Sequence, residues 1–247
     1  MVLIPARLSA TRLPKKPLAD LAGIPMVVRV AQRAQLSQAR QVVVATDSEE
    51  IMQACANYGV KAVMTRADHP SGSDRLAEAA EGLSLANNEI VVNVQGDEPM
   101  IDPLNINAVA HLLLEQSSCS MSTLADPITS LEEWQSPHCV KVVMNAQSQA
   151  MYFSRASIPH HRGGNTLKLP PYPVFRHVGL YAYRCGFLKI YPTLTAAPAE
   201  QAEALEQLRV LWHGYRIAVH VSHLASAAGV DTPEDLERVR RLFAQQK

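Results

Sequence analysis

The chain has 247 residues, long enough to bury a sizeable core. Its 23 basic and 23 acidic residues cancel, which disfavours a nucleic-acid-binding or membrane-surface protein, because those usually carry a broad basic surface. The four cysteines are far apart and lack zinc-site spacing, and no apolar run is long enough to span a membrane, so we expect a cytoplasmic protein with reduced thiols.

The first hundred residues alternate short apolar runs with helical patterns. Val2–Ile4 predicts a strand that stops at Pro5, and its position at the very start predicts that no signal peptide is present. Further strands are predicted at 42–46, 60–64 and 90–94, and helices at 25–36, 48–58 and 74–86. β-branched runs separated by helices are typical of a parallel sheet with helices on both faces.

Beyond Leu104 the pattern changes. Strands are predicted near 120–124, 140–144, 150–154, 178–183 and 217–221, helices at 104–116 and 200–212, and a last helix from Thr232. The segment Pro159–Pro173 is rich in Pro, Gly and His and predicts a long loop. We therefore expect one α/β domain over residues 1–247. Residues 1–103 and 217–247 would bind nucleotide and metal, and an inserted antiparallel section, 104–216, would serve acceptor binding and dimerisation.

A basic loop follows the first strand and carries Arg7, Arg12, Lys15 and Lys16. Cations at the end of a buried strand are suited to a polyanion such as a nucleoside triphosphate. The alternative is an ordinary solvated basic loop. The chain has no GxGxxG after a strand and no P-loop, so side-chain cations and a metal would have to hold the phosphates.

Two aspartates are candidate metal ligands. Asp97 directly follows an apolar strand in a Gly-containing turn, where a carboxylate suits Mg²⁺, although it could simply cap that turn. Asp231 precedes Thr232-Pro233-Glu234, so it could equally cap the last helix.

Several motifs together carry a family resemblance that covers nearly the whole chain. They are Ile4-Pro5-Ala6-Arg7, Arg12-Leu13-Pro14-x-Lys16-Pro17, Ala45-Thr46-Asp47, Thr65–His69, Ser71–Glu78, Val92–Pro99 (with Gln95-Gly96-Asp97-Glu98-Pro99), Tyr152–Arg155, Arg176–Tyr181, Leu205–Arg209 and Gly229–Asp235. With these motifs in this order, the chain resembles the 3-deoxy-manno-octulosonate cytidylyltransferases. The Gln-Gly-Asp-Glu-Pro, Arg-His-x-Gly and Glu-Gln-Leu-Arg segments are the most specific.

The resemblance implies a nucleotide-diphospho-sugar transferase-like, Rossmann-like fold. It also implies transfer of CMP from CTP to the anomeric 2-hydroxyl of 3-deoxy-D-manno-octulosonate (Kdo), for lipopolysaccharide, by a Mg²⁺-dependent homodimer. The site residues that it implies fall into four groups. The catalytic residues would be Arg7, Lys16 and Asp97; the nucleotide would be bound by Ala6, Arg7, Arg12, Lys16, Ser71, Gly72 and Arg75; the sugar acid by Gln95, Arg155, His177, Tyr181, Glu206 and Gln207; and the metal by Asp97 and Asp231.

The residue types suit these roles. Arg155 can pair with the acceptor carboxylate, and the remaining sugar-acid residues supply donors and acceptors for hydroxyl groups. Without the resemblance, Glu206 and Gln207 would be read as a solvated helix face, and His177 equally well as a core histidine. Even spacing along a strand predicts that His177 and Tyr181 face the same side.

The chain departs from the family pattern in its first loop. Lys15 stands where the family usually has Gly, a residue that permits positive φ, and Ala10 stands where it usually has Ser. In the loop after Pro159, the pair His160-His161 could suggest a metal site, but a polar loop explains it better without further ligands.

Two alternative functions stay open at this stage. One is a cytidylyltransferase for another sugar acid, such as an amino-substituted Kdo or a sialic acid; the segment from Arg155 to Tyr181 disfavours sialic acid. The other is a non-catalytic nucleotide-binding regulator on the same fold, which would have no need to keep Arg7, Lys16 and both aspartates.

Overall fold

Strands and helices alternate along the chain, and the computed structural model describes residues 1–8, 13–163, 168–222, 226 and 229–245. Two compact units are formed. The first comprises Met1–Asn107, Arg184–Pro192 and Ala227–Lys247, and the second comprises Ala108–Tyr183 and Thr193–Ser226.

The elements are numbered in chain order. Those that begin in the first hundred residues are β1 (Val2–Ala6), β2 (Asp20–Leu21), β3 (Ile24–Pro25), α1 (Met26–Ala34), β4 (Val42–Thr46), α2 (Glu49–Asn57), β5 (Ala62–Met64), α3 (Gly72–Gly82) and β6 (Ile90–Asn93). They are followed by α4 (Pro103–Glu115), β7 (Met121–Pro127), α5 (Leu131–Gln135), β8 (Lys141–Met144), β9 (Ala150–Ser154), β10 (Phe175–Arg184), α6 (Cys185–Ile190), α7 (Pro198–Glu203), α8 (Gln207–Trp212), β11 (Ile217–Val221) and α9 (Pro233–Ala244).

The first unit contains four parallel strands in the order β6, β1, β4, β5. β1 and β4 are made almost entirely of buried residues, VLIPA and VVVAT, as expected of strands covered on both faces. Helices α1 and α3 pack against both strands. Because the strands are parallel, the segments that follow them lie at one edge of the sheet, where ligands usually bind in such folds.

The second unit is mainly antiparallel. β10 pairs antiparallel with β7 and β8, and β9 pairs antiparallel with β8, whereas β11 runs parallel to β7. Each predicted strand has a counterpart in the structure, and β4, β9 and β11 have the predicted bounds. The prediction missed the short helices α5 and α6, because five or six residues carry too little periodicity to be recognised.

Some predicted boundaries are wrong. β1 continues through Pro5, which is paired with β4. The pairing of β1 with β6 covers only Val2 and Leu3, so the missing N–H of Pro5 is tolerated. α3 begins two residues before the predicted start, because the hydroxyl of Ser71 accepts a hydrogen bond from the backbone N–H of Asp74 at 3.2 Å and caps the helix.

The predicted single helix over 200–212 is also wrong. Ala204 adopts the left-handed conformation, with φ 52°, and divides the segment into α7 and α8. The guanidinium of Arg209 then reaches the carboxylate of Glu200, with Nη2 2.6 Å from Oε1. A continuous helix would separate these residues by about 13 Å along its axis, so this largely buried ion pair requires the break.

Candidate active site

The edge of the first sheet holds a cavity of about 370 Å³ at the ends of the parallel strands. It gathers residues from the loop after β1, the start of α3, the turn after β6 and the segment before α9. The residues from the predicted set that line it are Ala6, Arg7, Lys16, Ser71, Gly72, Arg75, Gln95, Asp97 and Asp231. Arg12, together with Ala10, lies outside the described residues.

Lys16 lies at the centre of the charged groups in this cavity. Its Nζ donates to Oδ2 of Asp97 at 2.6 Å, to Oδ1 of Asp231 at 3.0 Å and to the carbonyl of Val230 at 3.0 Å. Burial opposes the charge of Lys16, but the two carboxylates outweigh it, so the pKa of Lys16 is raised. Two carboxylates from distant parts of the chain therefore converge on a single cation.

 In the sequence, Asp97 lies 134 residues before Asp231 and Lys16 lies 214 residues before Val230, so only the fold brings these groups together.

The backbone explains why Asp97 reaches this point. Gly96 passes so close to β1 that a Cβ atom in its place would lie 2.8 Å from the carbonyl oxygen of Pro5. Only glycine allows this approach. The carbonyl of Asp97 then accepts a hydrogen bond from the N–H of Val230 at 2.9 Å, which brings the segment before α9 beside the turn after β6.

The role of Asp231 is clarified by the start of α9. The side chain of Thr232 caps this helix by accepting from the N–H of Asp235 at 3.2 Å, and Asp235 accepts from the N–H of Thr232 at 3.1 Å. Asp231 is therefore not the cap of α9, and its exposed carboxylate pairs with Lys16 instead.

The donor set fits a hard cation. Asp97 and Asp231 offer carboxylate oxygens, which Mg²⁺ prefers, and Mg²⁺ is typically held by one or two carboxylates together with phosphate oxygens and water. Within the described ranges, no group of three or more His, Cys, Asp or Glu side chains could hold a metal ion by itself. The two aspartates thus suit a cation that is bound together with a phosphate ligand.

Two predicted arginines of the cavity, Arg7 and Arg75, differ in whether their guanidinium groups are already paired within the protein. Arg75 is almost fully buried and committed to the fold, with Nη2 2.7 Å from Oδ2 of Asp47 and Nη1 2.5 Å from Oγ1 of Thr65. Arg7 is exposed and has no ion-pair partner among the residues that the structure describes. Arg7 is thus the better placed of the two to meet a phosphate.

Lys15 points away from this cavity. It occupies the left-handed conformation with φ 52°, so it keeps the backbone that a glycine would favour. Its Nζ lies 2.7 Å from Oε2 of Glu50 in an exposed ion pair. The substitution therefore adds a charge at the surface of the first unit and leaves the lining of the cavity unchanged.

Two residues of the first unit were missed by the sequence prediction. His69 lines the cavity, and its Nε2 contacts the carboxylate of Glu78. Glu98 follows Asp97, and its Oε2 is buried without a hydrogen-bond partner in the part of the chain that the structure describes. Burial, and secondarily the charge of Asp97, raises the pKa of Glu98 to about 8, so its carboxyl group is mostly protonated at neutral pH. Both lie within motifs that carry the family resemblance, but their spacing did not distinguish them from the other residues of those motifs.

The second unit gathers a different set of predicted residues. The ring of His177 lies 5.4 Å from the ring of Tyr181 and 4.9 Å from that of Phe153, measured between centroids. The contact between His177 and Tyr181 agrees with the prediction that they face the same side. Burial lowers the pKa of His177 to about 3, so its imidazole is neutral at physiological pH.

Arg155 follows β9 and is held mainly by backbone carbonyls. Its Nε donates to the carbonyl of Glu203 at 2.8 Å and its Nη1 to that of Pro137 at 3.1 Å. The carbonyl of Arg155 in turn accepts from Nζ of Lys141, a fully buried side chain, at 2.6 Å. These contacts fix the guanidinium without neutralising it, since carbonyl oxygens carry no net charge.

Glu206 and Gln207 lie at the break between α7 and α8, not within one helix as predicted. Glu206 is the exposed N-cap residue of α8, whereas Gln207 is 4% exposed. The Nε2 of Gln207 is buried and lacks a hydrogen-bond partner among the described residues. A buried amide without a partner is costly, and this marks Gln207 as a group that a ligand could satisfy.

Comparison with known proteins places the chain among the cytidylyltransferases. The sequence model of the cytidylyltransferase family matches residues 1–217. A 3-deoxy-manno-octulosonate cytidylyltransferase of Leptothrix cholodnii is 60% identical over 98% of this chain and 90% of that protein, and one of Acidovorax ebreus is 60% identical over 98% and 96%. None of the described helices is both long and apolar enough to cross a membrane.

Solved structures agree with this assignment. The structure of CMP:2-keto-3-deoxy-manno-octonic acid synthetase complexed with CTP is 42% identical and covers 100% of this chain and 98% of that one, with a TM-score of 0.91. A cytidylyltransferase of Leptospira borgpetersenii, 16% identical, shares the fold with a TM-score of 0.63 over 99% of this chain and 86% of that one. The predicted α/β fold, a mostly parallel sheet with an antiparallel section, is confirmed. The chain belongs to the 3-deoxy-manno-octulosonate cytidylyltransferase family.

Proposed function

We propose that this chain transfers CMP from CTP to the anomeric 2-hydroxyl of Kdo and releases pyrophosphate. The observation that carries the proposal is the convergence of Lys16, Asp97 and Asp231 in a cavity at the strand ends of the first unit. The names of the relatives supply the substrates, and this cluster supplies a reason for the chemistry. An ammonium and two carboxylates suit a triphosphate with its cation.

The reaction forms one bond and breaks another at the α-phosphorus. The acceptor hydroxyl oxygen bonds to the phosphorus while the bond to pyrophosphate breaks, and the proton of the hydroxyl leaves. Catalysis of such a transfer depends mainly on positioning and on neutralising charge. Lys16 and Arg7 are proposed to bind phosphate oxygens, and the Ser71–Arg75 segment is proposed to bind the nucleoside.

Magnesium is part of the proposal. Asp97 and Asp231 would hold Mg²⁺, which, when bound, would neutralise phosphate charge and favour departure of pyrophosphate. Lys16 would then lie beside both carboxylates and exchange part of its pairing for phosphate. The orientation of Lys16 and the two aspartates before the ligands bind supports this role.

The acceptor is proposed to bind Gln95, Arg155, His177, Tyr181, Glu206 and Gln207. The fixed guanidinium of Arg155 would pair with the carboxylate of Kdo. The neutral ring of His177 and the buried Nε2 of Gln207, which lacks a hydrogen-bond partner among the described residues, support recognition of hydroxyl groups. This combination of one cation with neutral polar groups suits an acid that carries several hydroxyls.

We further propose that the protein acts as a homodimer in the cytoplasm and supplies activated sugar for lipopolysaccharide. Exposed apolar side chains on β9 and α8 support self-association. Met151 is 62% exposed, Tyr152 39% and Trp212 61%. Exposed apolar groups of this size are typical of protein contacts.

One assay tests the function. Pyrophosphate release is measured with each of the four nucleoside triphosphates, with Kdo, 8-amino-Kdo or sialic acid as the acceptor, and with or without EDTA. We expect release only with CTP, Kdo and Mg²⁺ together. Equal turnover in EDTA would remove the metal from the proposal, and faster turnover with 8-amino-Kdo would change the acceptor.

A further inference from the structure

The strand that carries His177 contains an irregularity that shapes the second unit. In the pairing of β10 with β7, His177 lies opposite Ala125 and Tyr181 lies opposite Thr123, so four steps in β10 match only two in β7. Residues four apart in a regular strand are separated by about 13 Å. The extra residues, 179 and 180, form a bulge that brings the rings of His177 and Tyr181 into contact at 5.4 Å.

Thr123 lies against this bulge and is fully buried. Its Oγ1 is 2.9 Å from Nε2 of His177, 2.9 Å from the carbonyl oxygen of Leu180 and 3.2 Å from that of Val178. A hydroxyl group has one proton to donate, and a carbonyl can only accept. Oγ1 can form hydrogen bonds to a carbonyl and to His177 at the same time in only one way. It donates its proton to a carbonyl, the nearer being that of Leu180, and accepts a hydrogen bond from a protonated Nε2.

The opposite arrangement is poorer. If Nε2 carried no proton, the hydroxyl of Thr123 would have to donate to it, and its contact with Leu180 would lack a proton. Burial keeps the ring of His177 neutral at physiological pH, so the ring carries a single N–H. Placing that proton on Nε2 leaves Nδ1 as a bare acceptor, and Nδ1 has no hydrogen-bond partner among the described residues.

We propose that Thr123 is a positioning residue that fixes His177 as the Nε2–H tautomer, so that Nδ1 accepts a hydrogen bond from a hydroxyl of the acceptor sugar acid. The inference rests on the proposed function, since a polyhydroxylated acceptor supplies the donor. A bare Nδ1 would also make the site specific for a donor. An acceptor analogue whose contacting hydroxyl is replaced by a methyl ether has no proton to offer, and it should bind poorly.

Two variants at position 123 separate this role from simple packing. Thr123→Val keeps the shape and removes the hydroxyl, whereas Thr123→Ser keeps the hydroxyl. Histidine labelled with ¹⁵N reports, through long-range proton–nitrogen spectra, which ring nitrogen carries the proton. We expect the Nε2–H form alone in the wild type and in Thr123→Ser, and a mixture of both tautomers in Thr123→Val.

Kinetics provide the second readout. Thr123→Val should raise the KM for Kdo roughly five- to tenfold, the effect of losing one oriented hydrogen bond, and leave the KM for CTP and kcat within about twofold. Ser122→Ala is the matched control, because the hydroxyl of Ser122 is also buried in β7 and donates to the carbonyl of Val109 at 2.6 Å. It should lower stability without changing the tautomer or the KM for Kdo.

An Nδ1–H signal in the wild type would overturn the proposal. So would a Thr123→Val variant that keeps a single tautomer and the wild-type KM, or a Thr123→Ser variant as impaired as Thr123→Val. The spectrum of the wild type needs no substrate. If Kdo is not the acceptor, turnover fails while the Nε2–H signal persists, so failure of the proposed function is distinguishable from failure of this inference.

Discussion

The predicted site residues of the two units are stabilised in different ways. In the first unit, charges meet charges, and Lys16 is paired with both Asp97 and Asp231. In the second, His177 is neutral and Arg155 is bonded to backbone carbonyls. Paired charges can exchange partners when a charged ligand binds, whereas neutral groups and a carbonyl-held cation keep their orientation. The first arrangement suits a triphosphate with its metal, and the second suits a sugar acid with many hydroxyls.

The largest effect is expected from Asp97→Asn in the first unit. The amide keeps the size of the side chain but loses the charge that pairs with Lys16 and would hold Mg²⁺. We expect turnover to fall roughly a hundredfold or more, on the scale of losing a key electrostatic group. Steady-state kinetics at saturating Mg²⁺ measure the loss, with a thermal melt to show that the fold is retained.

Asp20→Asn is a suitable control for that experiment, because Asp20 is an exposed aspartate of β2 and does not line the cavity. It should leave turnover unchanged. A loss of tenfold or less in a folded Asp97→Asn protein would count against the metal role, and the contrast between the two units would then lose its main support.

The next effect concerns Arg155→Ala in the second unit. Loss of a charge-assisted pair with the acceptor carboxylate should weaken Kdo binding about thirty- to a hundredfold, or 2–3 kcal/mol, while CTP binding stays nearly intact. Calorimetric titration of CTP and the KM for Kdo measure the two effects separately.

Arg155→Lys sharpens that result, because lysine keeps the charge but cannot reproduce the two carbonyl contacts of the guanidinium. It should fall between the wild type and Arg155→Ala. An equal drop in CTP affinity would assign Arg155 to the triphosphate and erase the distinction between the units.

A smaller effect is expected in the pH dependence of stability. The pKa of His177 is about 3 in the folded protein, below its ordinary value of 6.5. As the pH falls from 6.5 towards 3, the unfolded chain binds a proton that the folded chain does not, so the folded state is progressively destabilised. This contribution is absent above pH 6.5 and reaches up to about 2 kcal/mol at pH 5.

Urea unfolding of the wild type and of His177→Gln at pH 7 and pH 5 isolates this contribution, since glutamine does not titrate. The stability of the wild type should fall more than that of the variant over this interval. If both proteins lose the same stability, the ring of His177 is not neutral by burial, and the second unit is less distinct from the first than its contacts indicate.

The smallest effect should come from Lys15→Gly. Removing a residue from the left-handed conformation relieves about 1 kcal/mol of strain, while the greater entropy of glycine in the unfolded chain and the loss of the exposed pair with Glu50 offset part of it. We expect a change of less than about 1 kcal/mol in the free energy of unfolding and turnover within twofold of the wild type. A fivefold loss of turnover would show that Lys15 contributes to the nucleotide site.

The sequence by itself determined the parallel strands of the first unit and most of the charged residues of its cavity, although not His69. Continuous apolar, β-branched runs such as VVVAT are typical of buried strands. Parallel strands bring the segments that follow them to one edge of the sheet. Asp97 could therefore be predicted to lie near Lys16 from its position after a strand. The helix cap at Ser48 is similarly local, because it depends on residues within one turn.

Tertiary structure decided what depends on partners distant in the sequence. The break at Ala204 follows from the ion pair of Glu200 with Arg209 and carries no Gly or Pro signal. Thr232, and not Asp231, caps α9, so the carboxylate of Asp231 pairs with Lys16. The local sequence suited either residue as the cap. The bulge beside Thr123 depends on the register of two strands some fifty residues apart, and a pairing of this kind leaves no periodic trace in either strand.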